Sequence, residues 1–94
     1  MHEVIFKSQP KKFLKKQSRK TLQQLRKRTG SLGVNPIPDQ STILRENPKL
    51  RRIKTGDYRI VYHIDDKKAE VIIVRIGNRR DVYDRVKKIK VPES

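Results

Sequence analysis

Apolar residues are sparse along this chain, and their spacing changes character about halfway. Residues 2–6, "HEVIF", form a short apolar run with β-branched members and predict a strand. Ser8 follows as a helix N-cap, and Pro10 is tolerated in a first helical turn. From there to Gly33 the apolar positions are Phe13, Leu14, Leu22, Leu25 and Leu32, and the steps of three and seven between the last three leucines keep one helical stripe. Ser18 reads as a second N-cap. The pattern therefore predicts a helical hairpin, with helices near 8–16 and 19–30 and with Gly30 and Gly33 as stop signals. The segment "VNPIPDQSTILRENP" (34–48) carries three prolines among Asn, Asp and Ser and predicts an irregular surface connection.

Beyond it the period falls to two. Strands are expected at 50–55, 58–64 and 70–76, joined at Gly56-Asp57 and at the polar "DDKK" of 65–68. A two-residue tip at Gly56-Asp57 sets Thr55 opposite Tyr58, Lys54 opposite Arg59, Ile53 opposite Ile60, Arg52 opposite Val61 and Arg51 opposite Tyr62. Alternation then places Ile53, Ile60, Tyr62 and Ile64 on one face with Arg51, ready to pack on the helices. Arg52, Lys54, Arg59 and His63 share the other face, and a slip of one residue would scatter them. The last strand, "AEVIIVRI", is apolar on both faces, as a covered central strand would be. Residues 84–91, "DRVKKIKV", place Val86, Ile89 and Lys90 along either a short terminal helix or an extended tail; the pattern fits both.

Hydrophobic residues are only 33% of the 94 and charged residues 37%, so one modest core must come from these few patterned segments. A single domain, 1–94, is expected, with 84–94 as its terminal helix or tail. The 25 Lys and Arg against 10 Asp and Glu give a formal charge of +15. Such a field opposes compaction unless a polyanion or an acidic protein offsets it, and nucleic acid is the first candidate. A membrane surface is the weaker one, because no long amphipathic helix with an aromatic-aliphatic face and no lipidation motif is present. Cysteine is absent, which excludes disulfides, thiolate nucleophiles and Cys-based zinc sites. The opening residues have an apolar run of only three, too short for a signal peptide. No run approaches the roughly 20 apolar residues of a membrane span, so a cytoplasmic location is expected. No His, Asp or Glu cluster has metal-ligand spacing, and phosphate loops and nucleophile elbows are missing, so neither metal nor other cofactor is expected.

The stretch "KLRRIKTGDYRIVYHI" (49–64) puts five cations and two tyrosines onto the expected hairpin, and "GNRRDVYDR" (77–85) follows the last strand. Like charges directly opposite, as Lys54 and Arg59 would be, destabilise an empty sheet by a few tenths to about 1 kcal/mol, which points to an anion on that face. Gly77 permits a sharp turn that brings Arg79, Arg80 and Tyr83 to its margin. Arginine forks bind phosphate oxygens and tyrosine rings stack on unpaired bases, so phosphate and base recognition fits this set.

At "RRIKTGDYRIVYHI" (51–64) and "VRIGNRRDVY" (74–83), and in the order of its elements, the chain resembles the RelE/ParE superfamily of type II toxin-antitoxin toxins. The resemblance implies an α+β fold: an N-terminal strand, a helical hairpin, and an antiparallel twisted sheet packed on the helices. RelE-like members are ribosome-dependent endoribonucleases that cut messenger RNA in the decoding site, whereas ParE-like members poison DNA gyrase. "YRIVY" (58–62) occurs in both branches. Arg52, Lys54, Arg79 and Tyr83 match the RNA-cleaving branch, which the resemblance therefore favours. Gyrase inhibition and non-catalytic RNA binding are the alternatives. In metal-independent attack of a ribose 2′-OH on the adjacent phosphate, the resemblance assigns Arg59 and Arg79 to the phosphate charge and Arg52 and Lys54 to the backbone. Tyr83 would stack or act as base. A free phenol has a pKa of about 10, so the base role needs cations that lower it. Lys49, Arg51 and Arg80 are the further RNA-contacting cations, with Arg51 the alternative to Arg52 and Arg80 the alternative to Arg79. His63 would titrate near 6.5 if free, but a rim histidine paired with Glu70 is the simpler reading. The implied partners are messenger RNA on the ribosome and a RelB-like antitoxin, whose acidic chain would neutralise the surface.

Overall fold

The computed structural model describes residues 1–83, 86–89 and 91. The helical part of the sequence stacks as one layer on a sheet formed by the rest. β1 (Glu3–Phe6) leads into α1 (Ser8–Lys15) and α2 (Arg19–Val34). β2 (Thr42–Ile43), β3 (Arg51–Thr55), β4 (Tyr58–Asp65) and β5 (Glu70–Asn78) follow. The fold is α+β as expected, with one extra short strand, β2, inside the proline-bearing connection.

Local signals explain most of the helical layer, with two corrections. Ser18 caps α2, its hydroxyl accepting from Thr21 N at 3.3 Å. Ser8 does not cap α1; it is the first helical residue, and Lys7 holds the cap position without a side-chain bond. Gly30 and Gly33 do not stop α2, which continues to Val34. At Gly33 a Cβ would lie 2.7 Å from His2 O, and its carbonyl accepts from His2 N at 2.8 Å. That glycine serves close approach of the last helical turn to the start of β1, not termination.

The sheet order is β1-β5-β4-β3-β2. β1 runs parallel to β5 while the other neighbours are antiparallel, so the sheet is mixed rather than wholly antiparallel. β1 pairs with β5 only from Glu3 to Phe6, against Glu70 to Ile73. Where it runs out, Gln9 continues the ladder: its Nε2 donates to Ile76 O and its Oε1 accepts from Ile76 N, both at 2.9 Å. The β3–β4 hairpin has the expected register at every pair from Thr55↔Tyr58 to Arg51↔Tyr62. Its turn needs a left-handed residue, and Gly56 supplies φ +59°.

The β4–β5 ladder shifts between Val61↔Arg75 and Tyr62↔Ile73, leaving Val74 as a bulge. Ile73 and Ile76 consequently both join the core under the helices. Val74 packs on the opposite side, where Arg75 Nε donates to Val82 O at 2.9 Å. The main core unites Leu25 and Leu32 of α2 with Ile53, Ile60, Tyr62, Val71, Ile73 and Ile76, all fully buried. Each buried aliphatic side chain there contributes about 1.5–3 kcal/mol. The Tyr62 hydroxyl donates to Pro36 O at 2.7 Å, so its one polar atom is satisfied.

The other sheet face is covered too. Leu44, Leu50 and Val61 form a second buried cluster with Val82 and Val86, and Ile89 and Val91 pack against it. Asn47 fastens this segment, Nδ2 donating to Val86 O at 3.2 Å and to Ile89 O at 3.0 Å. Of the two alternatives for the tail, Val86–Lys88 is a short 3₁₀ turn; Lys90 lies outside the described residues. His63 is only 9% exposed. Its Nδ1 lies 3.3 Å from Lys49 O, so it is not the rim partner of Glu70 that the sequence indicated. Among the described residues no helix is long and apolar enough to cross a membrane.

Candidate functional site

β3 alternation sends Arg52 and Lys54 to the face away from the helices, about 7 Å apart along the strand. The register sets Arg59 opposite Lys54. Repulsion between these two is offset at the turn, where Arg59 Nη1 donates to Gly56 O at 3.1 Å and Tyr58 O at 2.9 Å. The end of β5 reaches the same turn, Arg79 N donating to Asp57 O at 3.0 Å. Arg79 and Arg80 themselves are exposed. The backbone of Arg79 and the side chain of Arg59 are thus both held at the β3–β4 turn.

Arg52 anchors the other end of the row. Its Nε donates to Thr42 Oγ1 of β2 and its Nη1 to the Tyr83 hydroxyl, both at 2.9 Å. The guanidinium carbon lies 5.6 Å from the centroid of the Tyr83 ring. This doubly held arginine forms one wall of a cleft of about 270 Å³, completed by β2, Leu44, Arg45, Glu46 and Tyr83. Arginine cannot act as a base; the acidic side chains of the cleft are the Tyr83 phenol and the Glu46 carboxylate. Among the described residues no carboxylate pairs with Arg52, Lys54, Arg59 or Arg79. No group of three or more His, Asp or Glu able to hold a metal ion occurs among the described residues.

Two of the expected cations fall outside this row. Arg51 lies on the helix-facing side, its Nε and Nη2 donating to Ser41 Oγ at 3.3 and 3.2 Å, so it cannot stand in for Arg52. Lys49 precedes β3, with its carbonyl against the His63 ring. The structure also adds residues. Arg45 and Glu46 join the cleft because the turn after β2 folds back, Leu44 N donating to Leu50 O at 3.0 Å. Arg75 reaches this face only through the Val74 bulge; simple alternation from Val71 would bury it under the helices. A cation at a core-facing step of an alternating strand was the available signal for that bulge. Across the sheet lies a separate apolar groove of about 540 Å³, with Val4, Phe6, Leu14 and Leu22 among its walls and Lys11, Lys15 and Arg26 also lining it.

The sequence and the fold match known proteins. Residues 4–83 match the family model for the ParE toxin of type II toxin-antitoxin systems, parDE. Toxin RelG of Mycobacterium tuberculosis is 34% identical over 56 residues, 60% of this chain and 64% of that toxin, so the match spans less than two thirds of the relative. In the structure of the RelBE2 toxin-antitoxin complex from M. tuberculosis, one chain superposes with a TM-score of 0.74 at 28% identity, covering 83% of this chain and 98% of that one. The isolated E. coli RelE toxin gives 0.70 at 26% identity, covering 94% and 97%. With residues 4–83 matched by the family model and the RelE fold shared over 94% of its length, the chain belongs to the ParE toxin family of type II toxin-antitoxin systems, within the RelE/ParE superfamily.

Proposed function

We propose that this toxin is a metal-independent endoribonuclease that cuts messenger RNA in the ribosomal decoding site, and that a RelB-like antitoxin holds it inactive. The observation that carries the reading is the Arg52–Tyr83 pair, joined by a hydrogen bond and a cation–π contact in the wall of a cleft, with Lys54 next along the same face of β3. A gyrase inhibitor has no evident need of a polarised phenol beside a fixed guanidinium. A phosphodiester cleaved by its own 2′-OH needs a proton acceptor and fixed positive charge for the phosphorane oxygens. Arg52, gripped from two sides, supplies charge without reorganising. Arg59 and Arg79 supply it at the hairpin tip, and Lys54 bridges the two ends. Tyr83 either stacks on a base or takes the proton, with Glu46 as the competing acceptor. Arg80, exposed beside Arg79, and Lys49, outside the row, contribute longer-range attraction for RNA.

The antitoxin follows from the surface. The complex that this chain resembles contains a toxin with its antitoxin. The apolar groove of α1, α2 and β1, with Lys11, Lys15 and Arg26 among its lining residues, suits an acidic amphipathic segment.

The deciding experiment is cleavage of a defined messenger in a purified translation system, with and without ribosomes, comparing the wild type with Tyr83→Ala and Arg79→Ala. Ribosome-dependent cuts that vanish in the variants support the reading. Intact messenger in every lane refutes it. A second reading has one observation behind it: the matching family model is that of ParE toxins. Inhibition of gyrase supercoiling by the wild type and both variants alike would establish that reading instead.

A further inference from the structure

A second cleft, of about 290 Å³, lies on the helix side of the same hairpin. It is lined by Gln24, Lys27, Arg28 and Ser31 of α2 and by Thr55 and Gly56 of the β3–β4 turn. The spacing 24, 27, 28, 31 is one stripe of α2, beside the stripe of Leu25 and Leu32 that enters the core. Every lining side chain is polar or absent, and none is acidic. Arg28 Nε is buried without any hydrogen-bond partner. A buried donor on a charged group is costly to leave unpaired, and a turn of the Arg28 side chain toward an anionic acceptor in the cleft would satisfy it. Among the described residues no carboxylate bonds to Lys27 or Arg28, and Asp57, the acidic residue of the adjoining turn, is exposed and uses its main-chain oxygen for Arg79.

We infer that this cleft binds a phosphodiester group of RNA, separately from the row that carries Arg52 and Tyr83. The inference rests on the reading that the toxin acts on RNA, and adds a second point of attachment to it. Two cations with hydroxyl and amide donors between them match phosphate oxygens, which need donors and charge but no apolar pocket. The cleft and the Arg59–Arg79 corner sit on opposite sides of one turn, so RNA that follows the cation row past the tip can grip the hairpin from both sides.

The test uses the full chain and a fluorescein-labelled single-stranded RNA, with anisotropy followed over a range of salt. The variant Lys27→Gln/Arg28→Gln is compared with Lys12→Gln/Lys20→Gln, which removes equal charge elsewhere on the helices, after circular dichroism has shown that both fold. Binding by the cleft variant should weaken about tenfold more than by the control, and its salt slope should fall by about 1.4, the value for two phosphate contacts on a single strand. In parallel, the Arg28 Nε–H resonance, assigned through Arg28→Lys, should shift when RNA is added. Equal weakening in both double variants, or a resonance unmoved by RNA that does bind, overturns the inference and leaves the proposed function standing. A resonance that moves with a glutamate-rich peptide but not with RNA overturns it in favour of a protein carboxylate. No RNA binding by the wild type at low salt would bring down the proposed function first, and this site with it.

Discussion

Arg52 illustrates how much one side chain depends on neighbours distant in sequence. Thr42 and Tyr83 fix its guanidinium from opposite sides, so its charge is already in place before substrate arrives. Arg52→Ala should lower messenger cleavage by about 10²–10³-fold, the usual effect of losing one preorganised donor to a developing charge. Single-turnover cleavage with saturating ribosomes measures it, and a loss confined to the apparent KM would show that Arg52 only binds. Tyr83→Phe and Glu46→Gln separate the two proton acceptors, because stacking survives in the phenylalanine variant while proton transfer does not. Another residue matters for stability alone. Ala69 sits at φ +53° in the β4–β5 turn, where its Cβ is strained by about 1–2 kcal/mol. Ala69→Gly relieves this at some entropic cost and should raise the unfolding free energy by roughly 0.5–1 kcal/mol in urea titrations. A decrease would mean that the alanine is compensated elsewhere.

At the scale of elements, Asn47 is the link between the cleft and the tail. Its two bonds to Val86 and Ile89 hold the 3₁₀ turn against Leu50 and Val61, and Tyr83 lies just before that turn. Asn47→Ala should cost about 1–3 kcal/mol of stability, at the ordinary net value of two hydrogen bonds, seen as a lower urea midpoint with an unchanged slope. Cleavage should fall with it, because Tyr83 loses its support. Elements with their own local signal were legible in the sequence: the tight Gly56-Asp57 turn gave the β3–β4 register residue by residue, and Ser18 gave the start of α2. What escaped depends on contacts between distant segments. Gly33 is a glycine because β1 passes over it, and nothing in its own neighbourhood distinguishes that from a helix stop. The Val74 bulge and the return of β1 beside β5 are likewise settled only when the sheet assembles. For the candidate site the same division holds. The cation row followed from alternation, while its partners Thr42, Arg45 and Glu46 come from a connection that shows no periodicity, and Arg51 was lost to Ser41.

For the molecule as a whole, the charge of +15 should act on stability and on the proposed RNA binding with opposite sign. Self-repulsion is screened by salt, so the melting temperature should rise by several degrees between low and moderate ionic strength, where about 1 kcal/mol corresponds to 4–8 °C for a domain of this size. RNA affinity should fall steeply over the same range. Calorimetry and anisotropy on one salt series check both, and a flat melting temperature would show that the cations are too dispersed to repel. The parallel pairing of Glu3 to Phe6 with Glu70 to Ile73 also has a temporal meaning. During translation the first strand must wait for the fifth before the sheet can close, and Tyr83, with the residues that cover Val61, emerges later still. A nascent chain that stops short of Tyr83 therefore lacks both the phenol of the cleft and the cover over Val61, so the site forms only after the sheet that carries it.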